Sequence, residues 1–322
     1  MSDDGFGYLL VHFVEDPSGH SEKIFFSLSR GDDPLAWERM NGGEPVLEWT
    51  SGTGGVRDPH IVRGPEGFHL IATDLRVWRP EGPDWGAYRH RGSRDLVVWD
   101  SPDLVTWSTP RAVTVAPEGA GMAWAPESVL DSSTGEFLVH WASGLPADAG
   151  DSTGATGPAC ILASRTRDFR TFTEPRIVLE RPGGVIDLTI ALLDDGRVMR
   201  FAKQDDAYPG SWRIFQQVGG GLESDDYTTV ARGIGQHIAE HVEGPLVFRA
   251  HPRAGEPERW YLWVDQYSRM PQGYHALTSD DPASGRWEPV PDDAFDLPPN
   301  TKHGAVLPLR RHEYSALRER WG

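Results

Sequence analysis

A short turn recurs along this chain at a long, nearly constant interval. It is written SRGDDPLAW (29–37), SPDLVTW (101–107), TRDFRTF (166–172), SDDYTTV (224–230) and SDDPASGRW (279–287). The closing positions 37, 107, 172, 230 and 287 are 70, 65, 58 and 57 residues apart. Between the turns run strand-like segments rich in aromatic and β-branched residues, such as YLLVHFV (8–14), KIFFSLS (23–29), GFHLIATD (67–74), RDLVVWDS (94–101), FLVHWAS (137–143), RVMRFAK (197–203) and WYLWVDQ (260–266). Helical periodicity is confined to HEYSALRER (312–320). Such a period in an all-β chain signals four-stranded blades set radially around a channel, and five turns imply a five-bladed β-propeller. A plain sandwich would supply the strands but not the fixed turn.

The first turn follows two strands, whereas KHGAVLPL (302–309), after the last turn, is a strand without a blade. The ring closes without a free sheet edge if that strand joins the N-terminal ones in a shared blade, which makes 1–322 a single propeller domain. The 36 Gly and 26 Pro suit a chain of many turns, and the 13 Trp suit short strands packed face to face.

Charge narrows the partners. With 48 acidic against 31 basic residues the net charge is −17, which argues against nucleic acid or an anionic membrane. No apolar run approaches the ~20 residues of a membrane span. MSDDGFGYLL at the start shows neither the basic region nor the apolar core of a secretory signal, so a cytoplasmic location is expected. Cys160 stands alone, which excludes an intramolecular disulfide.

The chemistry falls where each blade's first strand should enter the channel. These entrances read VRDPHI (56–61), AWAPESV (123–129), GVIDLTI (184–190), HVEGPLV (241–247) and TKHGAVL (301–307). They bring Asp58, Glu127, Asp187, Glu243 and His303 to nearly equivalent points, at spacings of 69, 60, 56 and 60. One buried acid would be a cap or an ion-pair partner. Several like charges at one mouth oppose folding unless a ligand, a proton or a cation is expected there.

The DPHI (58–61), WAPE (124–127) and EGP (243–245) elements, in that order on a five-bladed propeller, resemble glycoside hydrolase family 43. The resemblance covers nearly the whole chain. It implies a carbohydrate substrate and hydrolysis with inversion, with Asp58 as general base and Glu243 as general acid. Glu127 stands where the family has Asp, and its negative charge would hold Glu243 protonated near neutrality. Sugar contacts are expected from Arg57, Trp78, Trp124, Asp187, Asp265 and His303, with Trp85 as a further stacking surface. No cofactor is required, although a structural cation such as calcium could sit in the channel near His303.

Within the family, the insert WRPEGPDWGAYRHRG (78–92) looks like forms that wall one end of the site. That favours an exo-acting enzyme releasing terminal α-L-arabinofuranose or β-D-galactofuranose. A β-xylosidase or an endo-acting arabinan hydrolase is the alternative, and a non-catalytic sugar-binding propeller is a third. EDPSG (15–19) resembles an element of sucrose-cleaving propellers but reads better as a turn. A phosphorylase would need a basic pocket, and Lys and Arg are sparse around the motifs.

Overall fold

The computed structural model describes residues 5–15, 22–146 and 156–322; EDPSG, beyond Glu15, lies outside them. The chain begins with β1 (Gly5–Val14), β2 (Phe25–Arg30) and β3 (Asp33–Arg39). The next blade holds β4 (Val56–Arg63), β5 (Phe68–Asp74), β6 (Asp95–Ser101) and β7 (Arg111–Thr114), with helix α1 (Trp85–Arg91) inserted between β5 and β6. Then come β8 (Trp124–Asp131), β9 (Glu136–Pro146), β10 (Thr156–Thr166) and β11 (Arg176–Leu179). The fourth blade holds β12 (Val185–Leu192), β13 (Val198–Gln204), β14 (Ile214–Gly219) and β15 (Thr228–Arg232). The fifth holds β16 (Val242–Arg249), β17 (Trp260–Gln266), β18 (Gly273–Ser279) and β19 (Glu288–Pro289). Finally β20 (Thr301–Arg310) leads into helix α2 (Arg311–Trp321).

These strands form five four-stranded antiparallel sheets, a five-bladed β-propeller. One sheet has the order β20-β1-β2-β3, so the last strand pairs with the first, from Gly5 opposite Arg310 to Val14 opposite Thr301. Helix α2 then covers the seam. Its Leu317 is buried, the Tyr314 hydroxyl donates to the Ser29 carbonyl at 2.8 Å, and Glu313 pairs with Arg63 of the next blade.

The recurrent turn links the third and fourth strands of every blade. Ser101 Oγ accepts from the Leu104 N–H at 2.8 Å, while the Asp103 carboxylate accepts from Val105 and Thr106. Thr166 and Asp168 repeat this toward Phe169, Arg170 and Thr171. In both turns the apolar residue is left-handed, Leu104 at φ 68° and Phe169 at φ 52°, and fully buried. The side-chain bonds hold the turn in that conformation, and burying the apolar residue offsets its strain. Apolar clusters fill the space between blades, for example Ile71, Val98, Phe137, Trp141 and Leu162 between the second and third.

One irregularity positions the site. In β4, β8, β12 and β16 the pairing to the neighbouring strand skips two residues, Asp58-Pro59, Ala125-Pro126, Asp187-Leu188 and Gly244-Pro245. The first of each pair has positive φ: 52°, 46°, 55° and 49°. In β20 the register shifts opposite His12 and Phe13, leaving His303 unpaired. Bulges at a channel rim re-aim side chains, and their strained residues cluster at functional sites.

Candidate active site

The bulges correct the expected five-fold equivalence. The matching residues are Asp58, Ala125, Asp187, Gly244 and His303. Glu243 sits one residue before its bulge, in line with Arg57, Trp124, Ile186 and Lys302. Glu127 sits two residues after Ala125, in line with His60 and Thr189. A side chain's direction alternates along a strand, so these offsets decide what each carboxyl faces.

A cavity of about 440 Å³ at the channel mouth is lined by Asp58, Asp187, Glu243, Arg57, Trp124 and His303. Lys203, Lys302, Tyr267, Gln272, Trp85 and Arg89 complete most of its wall. Glu127 does not line it. Its side chain is buried beside His60, with Nδ1 3.6 Å away, and bonded to Thr189. Asp265 is fully buried behind the wall, where it pairs with Lys302 at 3.1 Å and accepts from the His303 N–H at 3.2 Å. Trp78 is also outside the cavity. Its backbone is tethered to Glu22 and its ring lies against the Arg76 guanidinium, so Trp85 is the insert's tryptophan at the cleft. Arg57 reaches the cleft but is clamped by Glu15 at 2.5 Å and Glu22 at 3.6 Å.

Each carboxyl lives in a different field. Asp58 takes the Thr73 hydroxyl at 2.9 Å on one oxygen and His303 Nδ1 at 3.2 Å on the other. The same Thr73 oxygen accepts from the Ala125 N–H, tying two blades together under Asp58. Burial works against the Asp58 charge, but His303, Arg57 and Thr73 outweigh it and hold the group ionised below the usual range. His303 answers in kind: burial opposes its charge, yet Asp58 and Asp187 push it up to about 10. A protonated imidazole has no lone pair for a metal, so a cation near His303 would be held by the carboxylate oxygens of Asp58 and Asp187.

Asp187 accepts from the Gly244 N–H at 3.1 Å, locking it against the peptide that follows Glu243. Burial, with Glu243 and Asp58 nearby, raises it above the ordinary carboxyl range. Glu243 departs from expectation. Lys302 Nζ lies 3.5 Å from one of its oxygens and Lys203 Nζ 3.5 Å from the other. Burial favours the neutral form, but the two ammonium groups prevail and hold Glu243 below its usual value. Lys203 is in turn bonded to the Tyr267 hydroxyl at 2.9 Å, and that hydroxyl donates to Asp206 at 2.9 Å. Glu127 is the carboxyl that stays protonated, pushed up to about 8 by burial. It therefore cannot act as the negative neighbour of Glu243 expected from the sequence.

The lysines are what the sequence reading missed. Lys203 lies on the second strand of its blade, in a segment read only as apolar strand. Lys302 could have been found, because it precedes His303 just as Arg57 precedes Asp58. Together with Arg57 and Arg89 they make the cleft rich in cations, where the sequence suggested few.

Known proteins share the fold that carries this cleft. A family model described as a probable glycosyl hydrolase domain, related to family 43, matches residues 3–315. The chain belongs to that family. An α-L-arabinofuranosidase of Bifidobacterium longum subsp. longum is 32% identical to this chain over 213 residues. The match covers 62% of this chain but 20% of the relative, so the chain spans about a fifth of that protein's length. Among solved structures, a family 43 β-1,3-galactosidase with galactodeoxynojirimycin aligns at TM-score 0.52 and 14% identity, over 78% of this chain and 82% of its own. A thermostable family 43 hydrolase aligns at TM-score 0.50 and 17% identity, over 74% and 72% of the two chains. At those identities the structural likeness establishes the fold.

Proposed function

We propose that the cleft hydrolyses a terminal furanosyl bond with inversion, Asp58 acting as base and Glu243 as acid. The carrying observation is that Asp58 is held ionised by His303 and Thr73 in the same cleft as Glu243. Asp58 takes a proton from water as the oxygen attacks the anomeric carbon, and Glu243 gives its proton to the departing glycosidic oxygen. The third carboxyl role passes from Glu127 to Asp187, which lines the cleft and is locked to Gly244.

Exo action is favoured by the insert before β6. Asp84 caps α1 by accepting from the Ala87 N–H at 2.9 Å, and the helix sets Trp85 and Arg89 as a wall. Trp85 meets Trp124 edge-on at 6.2 Å, offering an apolar corner for a sugar face. An endo-acting enzyme needs a groove open at both ends. The arabinofuranosidase relative supports a reading in which α-L-arabinofuranose comes ahead of β-D-galactofuranose and xylose. A panel of nitrophenyl furanosides and pyranosides tests the substrate, with proton NMR of the first-formed anomer testing inversion. Hydrolysis of an α-L-arabinofuranoside to the β anomer is expected. Retention would overturn the mechanism, and binding without turnover of any glycoside would favour a sugar-binding propeller.

A further inference from the structure

The two lysines at Glu243 pose a chemical problem that the proposed reaction does not solve. A general acid must arrive protonated, yet Lys203 and Lys302 each place an ammonium nitrogen 3.5 Å from a different Glu243 oxygen. Both side chains are almost wholly buried, at 7% and 3% exposure, so water screens them little. Other charged groups face this pair from every side. Asp187 comes from β12, Asp265 from β17, Arg57 from β4 and His303 from β20, with Glu15 and Tyr267 nearby, Asp206 3.7 Å from Lys203 and Asp58 lining the same cavity. Asp206 is already engaged by Arg213 at 2.9 Å, His241 at 3.2 Å and Tyr267, and Asp265 is engaged by Lys302. Of the two carboxylates within ion-pair reach of Lys203, Glu243 lines the cleft with Asp58, and Asp206, 3.7 Å away, lines the neighbouring cavity.

The cleft does not end at Glu243. A second cavity of about 300 Å³ adjoins it and shares Arg89, Ile186, Lys203 and Tyr267 with it. The Arg89 guanidinium, half exposed, has Asp205 3.8 Å away, a loose contact that leaves it able to turn toward a ligand. Lys203 is the hinge between the two spaces, with Glu243 on one side and Arg89 across the second cavity's wall.

Resting on the glycosidase reading above, we propose that the preferred substrate carries a carboxylate on its leaving-group sugar, a uronic acid residue, seated between Lys203 and Arg89. The incoming carboxylate replaces that of Glu243 as the counter-ion of Lys203. Glu243 then takes a proton from solvent, because one of the two cations that kept it ionised is neutralised by the substrate. The same proton passes to the glycosidic oxygen as the C–O bond breaks, and the water proton goes to Asp58. A neutral aglycone leaves Lys203 on Glu243 and the acid unprotonated. Substrate recognition and arming of the acid become one event. Inorganic phosphate could satisfy the same cations, but as a nucleophile it would have to approach the ionised Asp58, whose place suits water.

The test is binding calorimetry of D-galacturonate against D-galactose, run at neutral pH in two buffers of different ionisation enthalpy. The uronate should bind about tenfold more tightly and take up close to one proton per site. Equal binding of the two sugars, or uronate binding without proton uptake, would overturn the proposal. Arg89→Gln, on the exposed wall, should remove most of the preference without disturbing the fold. Lys203→Met should remove the proton uptake, and Lys203→Arg should restore it; uptake that survives Lys203→Met would also count against the mechanism. If inorganic phosphate instead accelerates cleavage and appears in a sugar 1-phosphate, the anion is the nucleophile and the proposal fails. Because uronate binding is read without turnover, its failure is separable from failure of the furanosidase reading, which the aryl furanoside panel decides by itself.

Discussion

Two carboxyls sit at neighbouring levels of one channel and hold opposite charge states. Glu243, in the cleft, is ionised between Lys203 and Lys302; Glu127, below it, is neutral. At the lower level the charged His303 and Asp187 act on Glu127 in opposite directions, and its other histidine neighbours are neutral. Burial lowers His60 to about 4 and His140 to about 3, so neither offers a charge to Glu127 at physiological pH. Both glutamates are desolvated, and desolvation alone would protonate both. The difference is two ammonium groups, which shows that in this channel the second strand and the closing strand choose the charge of the first strand's carboxyl.

That contrast can be broken at several points. The largest effect should come from Asp58→Asn, which leaves water without a base; kcat should fall about 10²–10⁴-fold on aryl and natural glycosides alike. Glu243→Gln should cost about as much on a natural glycoside. It should cost far less on a nitrophenyl glycoside, whose leaving group departs with little protonation. Steady-state kinetics on both substrates separates the two, and an Asp58→Asn variant that spares the aryl substrate would reverse the roles.

A smaller and more diagnostic effect is expected from Lys203→Met. Glu243 must be protonated to act, and the free enzyme holds it below its usual value, so kcat/KM for a neutral substrate should fall as pH rises through that depressed pKa. Removing one ammonium group raises the pKa, and the alkaline limb of the pH profile should move upward. A limb that stays in place would show that Lys203 does not govern Glu243.

The smallest effect on rate should be that of Glu127→Gln, since a protonated Glu and a Gln carry the same charge. Its signature is in stability. Folded Glu127 keeps its proton until about pH 8, whereas the unfolded chain releases it near the ordinary 4.5. The unfolded state therefore binds fewer protons between those values, and the wild-type protein loses stability as pH rises through that window. Thermal melts should show Glu127→Gln gaining on the wild type from pH 4.5 to 8, with no difference below and a constant one above. A gain that appears only in acid would mean that Glu127 is ionised.

Much of the architecture was legible in the chain because it rests on local chemistry. The Ser101-Asp103 and Thr166-Asp168 turns are closed by their own side chains, and their recurrence counts the blades. The strands follow from alternating aromatic and β-branched residues, and the closing pair β20 and β1 from the need to leave no edge. Asp58, Asp187, Glu243 and His303 were visible at the entrances for the same reason. What misled was register: Glu127 matches Asp58 by spacing, but the bulge at Ala125 puts it two residues deeper and out of the cleft.

The sequence by itself thus determined the propeller, its five blades, the closure of the ring and the strands that carry the acids, since each depends on neighbours along the chain. Tertiary structure alone decided the protonation of those acids. Lys203 reaches Glu243 from 40 positions earlier and Lys302 from 59 positions later, while Thr73 and His303 grip Asp58 from separate blades. The energy of a charge in a dry channel is set by what lies within a few ångströms, and those neighbours are brought there by the closing of the ring.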